Sequence, residues 1–216
     1  MKTLGYYSVL FAATVVATAA GSAHQSAEEE LQLGNYSLPV TTSSARAQTL
    51  FDLGLMHEFG FNQAESRKAF QLAAKEDPSF AMAQWGLSYA WGGFLNHPAL
   101  DASQANQSFV ASRRAQDLCK GEPRQQRVEV ERRLWTAACS PFEAALIEAT
   151  VLRFPSPSSS RNQTVANVEY AEALQTLVDS GDDFGGTKYE TALRVFLAEA
   201  LMDLESNDYY STEVCV

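Results

Sequence analysis

Few side chains in this sequence are of a type and spacing that could do chemistry. Histidine occurs only at 24, 57 and 97. His57-Glu58 opens like a zinc-protease helix, where imidazoles four residues apart share one metal and the glutamate acts as base. The second imidazole would stand at position 61, which is Phe61, so no metal ligand is assigned. Gly86-Leu87-Ser88-Tyr89-Ala90 is one substitution from a nucleophile elbow. That motif needs a strand leading into its turn, and Ser88 reads better as a small packing residue. An acidic cleft near Glu58, Glu65 and His97, with or without a divalent ion, is the alternative, a hydrolase. Glu28-Glu29-Glu30 and Gly181-Asp182-Asp183 read as solvated charge and a turn. No catalytic residue and no cofactor is assigned.

The chain has 216 residues, 46% apolar and 19% charged, with 16 basic and 26 acidic side chains giving −10. These proportions exclude wholesale disorder. The acidic balance gives no footing for sequence-independent nucleic-acid binding, which needs cations to neutralise phosphates. Lys2, the apolar stretch from Leu4 to Ala20 and the small residues Gly21, Ser22 and Ala23 form an export-signal pattern over 1–23. An uncleaved anchor is the rival reading, weakened by the richness in Ala and Thr. Cleavage removes Lys2 and no acid, leaving 15 basic and 26 acidic residues, or −11. A secreted or secretory-lumen protein with no membrane contact after cleavage is expected.

Export gives meaning to the sequons at Asn35, Asn106 and Asn162 as glycosylation sites, and to the cysteines. Cys119, Cys139 and Cys215 are odd in number and lack a CxxC, which argues against a disulfide framework or a zinc site. Cys119 with Cys139, near the ends of consecutive expected helices, is the one plausible bridge. Buried, unpaired cysteines are the alternative.

Side-chain oxygens placed to accept from the orphan amides of a helical first turn recur along the chain. Ser44, Asn62 with Glu65, Asp77 before Pro78, Asp101 with Gln104, Ser140 with Glu143 and Thr187 with Glu190 mark six starts. Helices are expected at 45–59, 63–76, 79–94, 102–119, 123–138, 141–153, 163–179 and 188–204. The class is all-α, because no segment sustains the two-residue alternation of a strand. Residues 24–43 read as an extended leader, and 155–160 as a surface loop.

The helices carry a repeat. Tetratricopeptide units are 34-residue helix pairs with small residues at fixed positions where the helices cross. Starting from Ala47, Gly54, Ser66, Phe70, Ala73 and Pro78 fall on those positions. A second unit starts at Ala81, with Ser88 as the small residue of its first helix. Ala105, Phe109 and Ser112 match Ser66, Phe70 and Ala73 at an offset of 39, with extra residues in the 92–98 turn. Residues 44–120 thus hold two repeats, 121–210 degenerate helical pairs, and 211–216 a tail.

Phe51-Asp52-Leu53-Gly54-Leu55, Phe61-Asn62-Gln63-Ala64-Glu65 and the junction from Asp77-Pro78 to Trp85-Gly86 resemble motifs of a tetratricopeptide-repeat family without a defined reaction. Ala198-Glu199-Ala200-Leu201-Met202-Asp203-Leu204 is similar to it as well, so the resemblance spans about 45–210. It implies an α-solenoid interaction scaffold of about eight helices. Family members continue into further repeats and carry Pro-Trp at Ser206-Asn207, so a truncated chain is expected, its last pair open to self-association. In this register the first helices line a concave face with Gln48, Phe51, Leu55, Glu58 and Phe59, then Met82, Trp85 and Tyr89. Such a strip suits a protein or peptide partner. Burial of the same strip under the leader or the later helices is the alternative, since aromatics at helical spacing are usually core.

Overall fold

A computed structural model describes residues 34–97, 99–121, 139–180, 184 and 186–205. Within them the chain forms seven helices: α1 (Ala45–Phe59), α2 (Gln63–Glu76), α3 (Ala81–Trp91), α4 (Ala102–Lys120), α5 (Pro141–Arg153), α6 (Gln163–Asp179) and α7 (Thr187–Leu204). The all-α class holds: among the described residues the only β pairing is one isolated bridge between Phe94 and His97. The expected signal at 1–23, the leader up to 33, the helix at 123–138 and the tail lie outside the described residues.

Helix boundaries follow the capping chemistry where the capping side chain is free to turn inward. Ser44 accepts from the Ala47 amide, Asn62 from that of Glu65, and Asp101 and Ser140 each complete a reciprocal box, with Gln104 and Glu143 respectively. Two expected starts are corrected. Asp77 does not cap α3; its Oδ1 accepts from the amide and hydroxyl of Ser79, while Oδ2 accepts from Thr42 and Ser43. The helix therefore begins at Ala81, and it ends at Trp91 rather than 94. Thr187 is the first residue of α7, whose cap position is Gly186 at φ 129, with no side-chain cap bond. Asn162, read only as a sequon, also caps α6 by accepting from the Thr164 amide at 2.8 Å.

Each helix packs on the next in sequence, and α1 also meets α3, as α3 meets α5. The fully buried Phe70 is the wedge between the first and third helices. Its ring lies so close that a Cβ built on Gly54 would stand 2.6 Å from it, and one on Gly86 2.5 Å. The burial pattern of α2 recurs on α4, in another register than expected. Ser66, Ala69, Phe70 and Ala73 are buried on α2; on α4 the buried set is Ser108, Ala111, Ser112 and Ala115, each 42 positions later. The expected offset of 39 is thus corrected, and Ala105 and Phe109 are only half-buried. The face of α4 that is rich in small residues packs inward because a helix without a large apolar side chain approaches its neighbour closest there.

Residues 34–43 are extended, as expected, and side chains rather than a strand satisfy their backbone. Asp52 accepts from the Leu38 amide at 3.1 Å. Gln48 accepts from Val40 and donates to the Leu38 carbonyl, while Glu143 of α5 accepts from Thr41. Tyr189 of α7 donates to the Pro39 carbonyl. Leu38 itself is fully buried, so the leader is part of the core. Cys119 and Cys139 are disulfide-bonded, with Cα atoms 5.2 Å apart, joining the end of α4 to the start of α5.

Candidate functional site

The aromatic strip forms, and it is covered. Phe51, Leu55 and Trp85 have no exposed surface, and Met82, Tyr89 and Glu58 are buried too; Gln48 and Phe59 are half-buried. The expected open groove is therefore corrected to an occupied one. Phe51 lies 6.3 Å from Trp85, which stacks on Tyr89 at 5.3 Å and an interplanar angle of 13°. The leader covers the α1 end through Gln48, and Tyr36 sets its ring edge-on to Phe59.

The other cover is α7. Phe196 stands edge-on to Trp85 at 5.2 Å and to Tyr89 at 5.6 Å, and it also meets Phe59 at 6.2 Å. Leu193, Phe196, Leu197 and Ala200 are all buried, an i, i+3, i+4, i+7 stripe that makes α7 an amphipathic helix laid on the strip. The indole N–H of Trp85 donates to Thr150 Oγ1 of α5 at 2.8 Å, which removes its polar handle from the hydrophobic contact.

A polar cluster sits where α7 meets α1, α3, α5 and α6. Arg153 and Asp203 form an ion pair at 2.7 Å with both side chains 3% exposed. The same guanidinium donates to the Gly93 carbonyl at 2.7 Å and lies 5.1 Å from the centre of the Tyr170 ring. Glu58 of α1 turns inward, and its Oε2, like the buried hydroxyls of Tyr89 and Tyr170, has no hydrogen-bond partner among the described residues. Glu199, one turn before Asp203, belongs to the same group. Burial, then Asp203 and Glu58, push its pKa up to about 8. Burial also raises Glu58, against the pull of Ser66, Arg67 and Arg153, and it raises Asp203 against Arg153. A shallow polar recess lined by Gly93, Leu100, Arg153, Gln163, Asn167 and Asp203 opens beside the pair.

The residues of the alternative acidic cleft face different surroundings. Glu65 pairs with Lys68 at the surface, Glu58 is interior, and His97 is exposed in its turn. His57 is buried. Among the described residues no three His, Cys, Asp or Glu side chains gather so as to hold a metal. Ser88 is fully buried in α3 and donates to the Trp85 carbonyl, which is the packing role expected of it. The sequon residues Asn35, Asn106 and Asn162 are exposed. The sequence gives no site role to Phe196 or Arg153, and Glu199 and Asp203 stand there only within the 198–204 motif. A signal existed: Glu199 and Asp203 follow Phe196 by three and seven residues, on the apolar stripe, where an acid needs a partner.

α7 also leaves Val195, Leu201 and Met202 exposed, and no described helix is long and apolar enough to cross a membrane. No family model, no curated protein and no solved structure matches the chain.

Proposed function

We propose that the chain is an exported tetratricopeptide-like helical-repeat scaffold, an α-solenoid, whose concave strip binds an amphipathic helix and performs no reaction of its own. The order of packing supports a solenoid: successive helices pair, and the alternate helices α1, α3 and α5 also touch. The observation that carries the binding reading is the seat of α7. Phe51, Trp85 and Tyr89 form an aromatic floor, and what lies on it is a helix presenting Leu193, Phe196, Leu197 and Ala200. A floor that accepts one such helix has the chemistry to accept another with the same stripe and an acid placed for Arg153. In this conformation the chain's own helix holds the site, and a partner competes with it.

A synthetic peptide copying residues 187–205 tests this against the full chain carrying Phe196→Ala, which weakens the internal competitor. We expect saturable binding to that variant and weaker apparent binding to the unmodified chain, because a site free only part of the time lowers the apparent affinity in proportion. Absence of binding to a variant that keeps its helicity, or equal binding of a peptide whose own phenylalanine is replaced by alanine, removes the reading.

A further inference from the structure

The contact between α7 and the strip has an imbalance of charge built into it. Three carboxylates are involved: Glu58 of α1 is buried with Oε2 lacking a hydrogen-bond partner among the described residues, and Glu199 of α7, one turn before the buried Asp203, lies within electrostatic reach of both. Of the cations facing them, Arg153 of α5 is paired to Asp203. Arg67 of α2 acts on Glu58 only at a distance; its guanidinium donates to the Ala90 carbonyl and stacks 4.3 Å over the Trp91 ring. The remaining groups at this contact, Tyr89 of α3 and Tyr170 of α6, are neutral phenols whose hydroxyls have no hydrogen-bond partner among the described residues. His57, on the same helix as Glu58, acts on the surface residue Glu65. One carboxylate is thus matched by a guanidinium, while the buried Glu58 and the half-buried Glu199 have no salt bridge of their own among the described residues. Like charges so placed do not all ionise; one keeps its proton.

We infer that α7 is a proton-dependent latch: a proton held among Glu58, Glu199 and Asp203 keeps the helix on the aromatic strip, and losing it as the solution becomes alkaline releases the helix. The latch is a property of the fold alone; its use as a control on partner binding rests on the reading of the strip given above. Glu199, on the face of α7 between Phe196 and Asp203, carries the exchangeable proton: its pKa rises from 4.5 to about 8, whereas Asp203 is ion-paired to Arg153. The sign follows from linkage. An acid that titrates near 8 when folded and near 4.5 when unfolded binds more protons in the native state across that interval, so stability is highest below it and declines as pH rises through it. One proton taken up on folding corresponds to about a tenfold fall in the folding constant per pH unit.

Hydrogen exchange on the intact chain, corrected for the intrinsic rate at each pH, reads the latch directly. Between pH 6 and 8.5 the amides of 187–204 are expected to lose protection while those of 81–91 keep theirs. Glu199→Gln, a neutral mimic of the protonated acid, should abolish the difference, and Glu58→Gln should reduce it by removing one repelling charge. Denaturant titrations over the same range should show the tenfold-per-unit decline in the wild type and a shallower one in both variants. Equal protection of α7 at the two pH values, an equal loss in α3, or the same slope in Glu199→Gln overturns the latch. The peptide experiment is independent: a pH-responsive α7 with no peptide binding sinks only the interaction reading, and peptide binding with a pH-indifferent α7 sinks only the latch.

Discussion

At the scale of the residue, Phe70 shows how much one contact decides. Replacing a helical glycine by alanine favours the helix by about 1 kcal/mol in the absence of neighbours. At Gly86 the added methyl would fall 2.5 Å from a ring with no exposed surface and nowhere to go. Overpacking of this kind costs about 1–3 kcal/mol, so Gly86→Ala should lower stability in a denaturant titration despite its better helix propensity. Adding Phe70→Leu should shrink that penalty, giving a coupling energy that two independent sites would not show. The small residues at 54 and 66 and the aromatic at 70 were legible from spacing, because a crossing of two helices leaves a fixed gap. The role of Gly86 was not, since its partner comes from another helix pair.

At the scale of the element, capping was the most legible feature, and its failure at Asp77 has a physical cause. Ser140 makes a complete box with Glu143 and starts α5 where expected. Asp77 has the same local chemistry, but long-range donors from the leader, the Thr42 and Ser43 hydroxyls and the Ser43 amide, compete for it. Burial raises the pKa of Asp77, yet the bonds from Ser79, Thr42 and Ser43 outweigh it and hold the pKa down to about 2. Its contribution is present above pH 3.8 and is lost as pH falls toward 2. Asp77→Asn should therefore reduce stability near pH 6 and flatten the acid limb of the pH profile between 4 and 2. Ser140→Ala should cost about 1 kcal/mol; by thermal denaturation the variant would melt lower at every pH, without changing the acid limb.

At the scale of the whole molecule, the leader and α7 turn an aromatic strip into an interior. The sequence allowed that strip to be either a groove or a core, and nothing local separates the two, because Phe51, Trp85 and Tyr89 look the same under solvent, a partner or the chain's own helix. Cys119 and Cys139 were ambiguous in the same way, since pairing depends on the distance between two helix ends. The second repeat was misread by three residues for a related reason: α4 offers small residues on two neighbouring faces, and only its packing selects Ser108, Ala111, Ser112 and Ala115.

The amino-acid sequence by itself determined the helical class, most helix limits and the close crossing of α1 with α2, because capping and spacing act over a few residues. The tertiary structure alone decided what lies on the strip, where Asp77 spends its bonds and how Arg153, Glu58, Glu199 and Asp203 come together. These depend on contacts between segments 34 to 150 positions apart, which local chemistry permits but does not select.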